Sequence, residues 1–281
     1  MENSKEATKQ QNQEDEQYIS VQDYDGEGYT LRGGRDEAVD IAKQHKKEIV
    51  KAVEEFFLNN YKTEVKVNHF IGAKDAVSVT VESVNEPFFY SFAIVPVNFK
   101  SKTVATDQVF TLEGEVEKGI KGGLYVMAYE EEFSNLDNYL QTLDKEYPII
   151  GMNKEAIQNT NSIHGYATPY YFVTPVGETF NLLFEKYMDN PSLDKQDLQQ
   201  FLKDNPIDSK YITITLNLFM EDSDIEPDQE IFEMIVNDIK RKTNIPHGSY
   251  SLFIYENEIN RHSALGKNGI SGNYPEKIIK N

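Results

Sequence analysis

Between residues 63 and 98 the chain alternates apolar and polar side chains with a period of two. Val65 and Val67 stand among Glu64, Lys66 and Asn68, and Val77, Val79 and Val81 among Ser78, Thr80 and Glu82. Phe88, Tyr90, Phe92 and Ile94 follow at the same spacing. A period of two puts one set of side chains on each face of a pleated strand. The pattern predicts an antiparallel meander of three strands, turned at residues 72–75 and 85–87, with one apolar face that needs a helix to cover it. Residues 36–61 supply that helix. Ala38, Ile41, Ala42, His45, Ile49, Ala52, Val53, Phe56 and Phe57 recur at three and four, and Asp36, Glu37 and Asp40 come early, where the helix dipole favours acids. His45 on this stripe reads as a core histidine with its hydrogen bonds satisfied rather than as a ligand.

Beyond the meander, residues 104–112 can add a fourth strand. Residues 115–143 read as helix in two registers, with Val116, Ile120, Leu124 and Met127 on one stripe and Tyr129, Phe133, Leu136, Leu140 and Leu143 on another. Ser134 followed by Asp137 resembles a capping box, which places a kink near residue 133. Gly119, Gly122 and Gly123 either permit close packing of the first stretch or mark a loop before it. Tyr147-Pro148 ends the helix, and 151–169 reads as irregular. A short strand at 170–173, helices at 178–188 and from 191 to 202, a strand at 211–219, a helix at 227–242 and a strand at 249–255 complete the order. Strand, helix, strand is the order of a parallel crossover unit. The expected fold is α+β: an N-terminal helix on an antiparallel meander (residues 18–150), then a second α+β half (151–281) containing the strand–helix–strand unit. The tail from residue 263 reads as loose until Ile278.

Composition narrows the setting. The chain has 281 residues, a formal net charge of −19 and no cysteine. Such a field repels phosphate backbones, and no local basic patch stands out, so nucleic acid is not an expected partner. Without cysteine there is no disulfide, thiol nucleophile or thiolate metal site. No apolar run approaches the roughly 20 residues that a membrane span needs. Residues 2–17 carry no large apolar side chain and read as a disordered tether that contributes nothing to stability. Residues 18–34 read as an aromatic, glycine-rich segment extended along the surface, its glycines serving turns.

Candidate chemistry is sparse. Asp222, Asp224, Glu226 and Glu233 fall at ligand positions of a notional calcium loop, but Pro227 occupies the position where that loop needs glycine. The run therefore reads as a helix start with acids complementing the dipole. His45, His69, His164, His247 and His262 show no paired spacing for a metal, and no serine-hydrolase signature is present. No catalytic residue, metal ligand or cofactor site is assigned. The segment 164–172 packs His164, Tyr166, Tyr170, Tyr171 and Phe172 into a stretch broken by Gly165 and Pro169. Rigid amphipathic side chains on a loop suit recognition, so His164, Tyr166, Tyr170 and Tyr171 form the candidate binding surface. The competing expectation is that these rings anchor the loop to the core, with Tyr166 and Tyr171 buried.

The phrases VQDYDGEGYTLRGG, PFFYSFAIVPVN, GGLYVMAYEEEFSNLDNYL, TPYYFVTP and IPHGSYS resemble a family of lipoproteins of unknown function from staphylococci and related Gram-positive bacteria. The resemblance runs from about Val21 to the C-terminus. It implies export, signal-peptidase cleavage and a lipidated N-terminal cysteine. Met1 stands ahead of Glu2 here, so this chain lacks that cysteine and membrane contact is expected only through the missing anchor. The resulting expectation is a lipid-anchored protein on the outer face of the cell membrane, a binding module for another protein or an envelope ligand. The alternative is an envelope hydrolase with an unrecognised active site.

Overall fold

A computed structural model describes residues 17–223, 225–271 and 278–281. Tyr18–Ile19 forms β1, and Asp36–Gln44 and Lys46–Tyr61 form α1 and α2. The meander is β2 (Val65–Gly72), β3 (Ala76–Ser83) and β4 (Tyr90–Asn98), with β5 (Thr103–Val104) at its far edge. Next come α3 (Glu115–Ala128), α4 (Glu130–Glu146), β6 (Ile149–Ile150) and α5 (Lys154–Asn159). Then β7 (Tyr166–Ala167), β8 (Tyr171–Pro175), α6 (Glu178–Asp189), α7 (Lys195–Asp204) and β9 (Ile212–Met220) follow. The chain finishes with α8 (Gln229–Arg241), β10 (Gly248–Tyr255), β11 (Ile259–Asn260), β12 (Gly269–Ser271) and β13 (Ile278–Lys280). This is the expected α+β fold.

The meander pairs β2-β3-β4-β5, antiparallel throughout. The helix expected to be continuous over 36–61 breaks at His45, and both pieces bury their stripe against the sheet through Ala38, Ile41, Ile49, Val53 and Phe57. His45 is half-exposed rather than core. Its ring nitrogens lie 3.2 Å from Glu48 Oε2 and 3.0 Å from Lys102 O, so its polar groups are satisfied at the rim of the helix break. The fourth strand is reduced to two residues, with Ile94 and Phe110 adding one isolated bridge.

The second sheet runs β12-β10-β9-β8-β7. Strands β9 and β10 are parallel and flank α8 in sequence, which is the crossover unit the strand–helix–strand order predicts. Helix α8 begins at Asp228, whose side chain accepts from the N–H groups of Glu230 and Ile231. Pro227 therefore precedes the helix rather than opening it, and Asp224 lies outside the described residues. The tail is not loose where it is described: β12 and β13 both pair antiparallel with β10. Residues 151–169 contain α5, whose cap is Asn153 accepting from Glu155 N–H. The short length of that helix hid its period.

Two connections join the sheets. Tyr90 on β4 and Gly165, just before β7, exchange backbone hydrogen bonds of 2.8 Å in both directions. Over this seam lies α3. A Cβ on Gly119 would sit 2.8 Å from the Phe89 ring, and one on Gly123 would sit 2.7 Å from the Phe88 carbonyl oxygen. Close packing, not a loop, is thus what these glycines provide. One buried cluster runs from Ala38 on α1 to Ile278 on β13. A smaller one joins Val21 and Tyr24 to Ile157, Phe219 and Ile259. The segment after Tyr18 is therefore a strap and not a surface coil: Tyr24 donates its hydroxyl to Arg261 O at 2.8 Å and Thr30 N–H to His262 O at 3.1 Å. Gln17, the last residue of the expected tether, already accepts from Arg261 N–H; residues 1–16 lie outside the described ones.

The seam makes a differential forecast. In Gly123→Ala the new methyl meets a backbone carbonyl that cannot rotate away, so stability should fall by about 1–3 kcal/mol. A Cβ on Gly122 finds its nearest neighbour at 3.4 Å, so Gly122→Ala should be neutral or gain up to about 1 kcal/mol of helix propensity. Urea denaturation of both variants checks the pair; equal effects would refute the close-approach account.

Candidate functional site

Helices α3 and α4 are separated by one residue, Tyr129, at φ −113° and ψ 35°. The break falls four residues earlier than the capping pattern suggested, and Ser134 sits inside α4 rather than capping it. Tyr129 is held by its ring, 4.7 Å from that of Tyr125 and stacked at 6.3 Å on His247. Turning the chain here opens a cleft of about 440 Å³. Phe88, Val126, Met127 and Phe133 form its apolar wall. Glu86, Glu130, Asp137, Tyr166 and Lys195 supply its polar groups.

The aromatic segment is distributed around this cleft rather than presented as one surface. Tyr166 lines it, half-buried, with its ring 6.3 Å from Phe88 and 6.2 Å from Phe133. Burial, with the charge of Asp137 next, pushes the Tyr166 phenol up to about 12. Tyr171 is 1% exposed. Strand alternation turns it into the core, so it is corrected from a contact residue to a support beneath the cleft. Its hydroxyl donates to Asp137 Oδ1 at 2.9 Å, and burial raises its phenol well above the ordinary range. Tyr170 faces the other way and donates to Asp144 Oδ2 at 2.7 Å, outside the cleft. Neighbouring tyrosines on opposite strand faces thus reach aspartates two helical turns apart on α4.

His164 is not beside these rings. Its Nε2 contacts the carboxyl of Glu115, the first residue of α3, and its ring meets Phe92 edge-on at 5.8 Å. The cleft begins at Val126, roughly 16 Å further along the helix by its rise per residue. His164 is therefore a clamp on the N-terminal end of α3 and does not line the cleft. The residue that sequence reasoning missed is Asp137. Burial raises its carboxyl above the ordinary carboxylate value, with the Tyr171 hydroxyl pulling the other way. A perturbed carboxyl in a cleft is a mark of a functional site. Its signal was present: Asp137 follows Phe133 by four residues, which puts a carboxylate on the flank of the buried stripe of α4.

A second, shallower groove lies at the α1–α2 break, where Lys43, Lys46, Lys47 and Lys51 come together with Glu48 and Glu54. The lysines are thus more clustered in space than the sequence suggested. Lys51 is nonetheless engaged by Glu55 at 3.7 Å and the groove has two acids of its own, so its net charge is small. No group of three or more His, Cys, Asp or Glu placed to hold a metal ion occurs among the described residues.

The Asp137 carboxyl sets a pH dependence. Its folded-state pKa lies above the unfolded value, so the folded chain holds the proton more tightly and this group favours folding most below the unfolded pKa. That contribution is lost as pH rises through the folded pKa. Asp137→Asn removes the loss, so the variant should gain stability relative to the parent between about pH 4 and neutrality. Tyr171→Phe should act oppositely, its deficit growing as Asp137 ionises, and Tyr171→Ala should cost about 3–5 kcal/mol at the lower pH and more as Asp137 ionises. Urea midpoints at the two pH values measure all three. A variant-independent pH slope would remove Asp137 from the account.

No curated protein matches the sequence. Among solved structures, the crystal structure at 1.80 Å of a DUF1672 family protein from Staphylococcus aureus subsp. aureus Mu50 is similar, with a TM-score of 0.75 and 23% identity. The match covers 94% of this chain and 98% of that one, and at this identity it speaks for the shared fold. The model of the family described as "Protein of unknown function (DUF1672)" matches residues 11–280. With nearly its whole length matched, the chain belongs to the DUF1672 family.

Proposed function

We propose that this protein is a binding module of the cell envelope, lipid-anchored to the outer face of the membrane, whose recognition site is the cleft at the α3–α4 break. The cleft carries the binding part of this reading. It keeps aromatic rings and carboxyl groups open to solvent in one concavity, and its size lies within the range of small-ligand pockets. Its walls stand mainly on helices, with Tyr166 from β7 and with Glu86 and Phe88 from the turn between β3 and β4. The lipid anchor is supported by the extended phrases shared with the lipoprotein family. The polar composition of residues 2–17 also suits a spacer between membrane and domain. An envelope hydrolase is the second reading, favoured by one observation: a carboxyl held protonated above its usual range could serve as a general acid.

Both parts can be tested separately. The natural gene product, expressed with whatever precedes Met1 in its own reading frame, should partition into the detergent phase of Triton X-114 and be cleaved by protease added to intact cells. Partition into water, with protection from protease, would sink the anchor. For the cleft, the chain has six methionines, and among the described residues only Met127 lines the wall. With ¹³C-methyl methionine labelling, a fragment screen should find compounds that shift the Met127 resonance saturably while leaving Met188 and Met234 in place. Fragments that move none of the methyls would reject the cleft as a recognition site. Turnover of a bound compound that disappears in Asp137→Asn would favour the hydrolase.

A further inference from the structure

The polar groups of the cleft are unbalanced in sign. Three carboxyl groups, Glu86, Glu130 and Asp137, stand against one ammonium, Lys195. That ammonium is already engaged, its Nζ 3.1 Å from Glu130 Oε2. Glu86 accepts the Phe88 backbone N–H through Oε2, and Asp137 accepts the Tyr171 hydroxyl through Oδ1. Each of the two keeps its second oxygen without a protein donor among the described residues. Beside them are the rings of Phe88 and Tyr166, edge to face at 87°, and that of Phe133. An aromatic face attracts a cation within about 6 Å of its centre, and a carboxylate binds an N–H⁺ donor more strongly than a neutral one.

Resting on the binding-module reading above, we infer that the cleft takes an organic cation. The ligand is an ammonium on a short apolar stem, with Asp137 and Glu86 as counter-ions and the half-buried rings of Phe88 and Tyr166 against the stem. Lys195 is the internal precedent, since a four-carbon stem and an ammonium already sit at the rim against Glu130. It is also a competitor, because its charge repels a second cation. An anion would have to approach two carboxylates that have no spare positive partner. A neutral ligand would leave the half-buried charge of Asp137 uncompensated. Whether the ammonium is free or borne on a lysine side chain, the chemistry that recognises it is the same.

The groups facing Asp137 are Tyr166 and Tyr171 from the strands, Glu86 from the β3–β4 turn and Lys195 from α7, with Glu130 and Ser134 on its own helix. A cation favours the ionised carboxyl, so binding expels a proton wherever Asp137 is protonated. Affinity should therefore fall as pH is lowered through its raised ionisation.

Titration of ¹³C-methyl-methionine protein with three compounds of one length tests this: pentane-1,5-diamine, pentane-1,5-diol and glutarate. The diamine should shift Met127 saturably and the other two should not. Nα-acetyl-lysine amide in a parallel arm separates the sources. Binding equal to the diamine points to a lysine side chain, weaker binding to a free amine, and either supports the inference. Asp137→Asn and Glu86→Gln should each weaken diamine binding about tenfold or more through loss of one charge-assisted contact. Lys195→Met, at a rim position that asks little of the fold, should strengthen it; an anion site would respond in the reverse sense. Saturable binding of the diol or glutarate in place of the diamine overturns the cation inference while leaving the cleft as a binding site. If no compound in this set or in the fragment screen moves Met127, the cation inference and the binding-site reading fall together.

Discussion

The architecture depends on how closely α3 can approach the seam where the two sheets meet. The meander and the second sheet touch through the Tyr90–Gly165 pair, a junction of two hydrogen bonds that could not hold the sheets in register alone. A helix lying directly on the seam can do so, provided its near face has no side chains. Glycines at 119 and 123 clear that face, and Phe89 and Phe88 occupy the space that their side chains would have taken. The cost is helix propensity, about 1 kcal/mol per glycine relative to alanine. The compensation is burial of the flanking Val116, Ile120 and Leu124.

The cleft follows from that placement. A glycine-faced helix can stay on the seam only as far as the seam extends, and beyond Gly123 the chain needs side chains again. Val126 and Met127 provide them, Tyr129 breaks the axis, and α4 departs in a new direction. The concavity is the angle between the two helices, floored by Phe88 from the β3–β4 turn and Tyr166 from β7. Its carboxyl group is partly desolvated because α4 must bury Phe133, Leu136 and Leu140 on the same side. The Tyr171 hydroxyl then stabilises the charge that burial disfavours.

Much of this fold was legible because its evidence is local. Alternation marked β2, β3 and β9, and the three-and-four spacing marked the helices, since a period belongs to neighbouring residues. Breaks were less legible. The His45 and Tyr129 turns use no polar cap; they are held by contacts to Lys102 and His247, far along the chain. Edges were less legible still, and β12 was hidden because three residues cannot show a period. Of the candidate residues only Tyr166 reached the cleft. Its partners come from residues 86–88, 126–137 and 195, in a turn and three helices that only the packing of the whole fold brings together. The aspartates at 137 and 144, two turns apart, were the readable half of the tyrosine pairing; that they would receive Tyr171 and Tyr170 was not.

The strap also bears on the order in which the molecule can be finished. Its first residues pair with Ile259–Asn260, and β13 closes on the strand that begins at Gly248. Both ends of the chain are thus tied to the same late stretch. A polypeptide made or threaded from the N-terminus can form the meander early, but the cluster that buries Val21 and Tyr24 is completed only when Ile259 and Ala264 arrive. Contacts of such long sequence separation form slowly. A chain wired this way remains incomplete until almost its last residue has emerged.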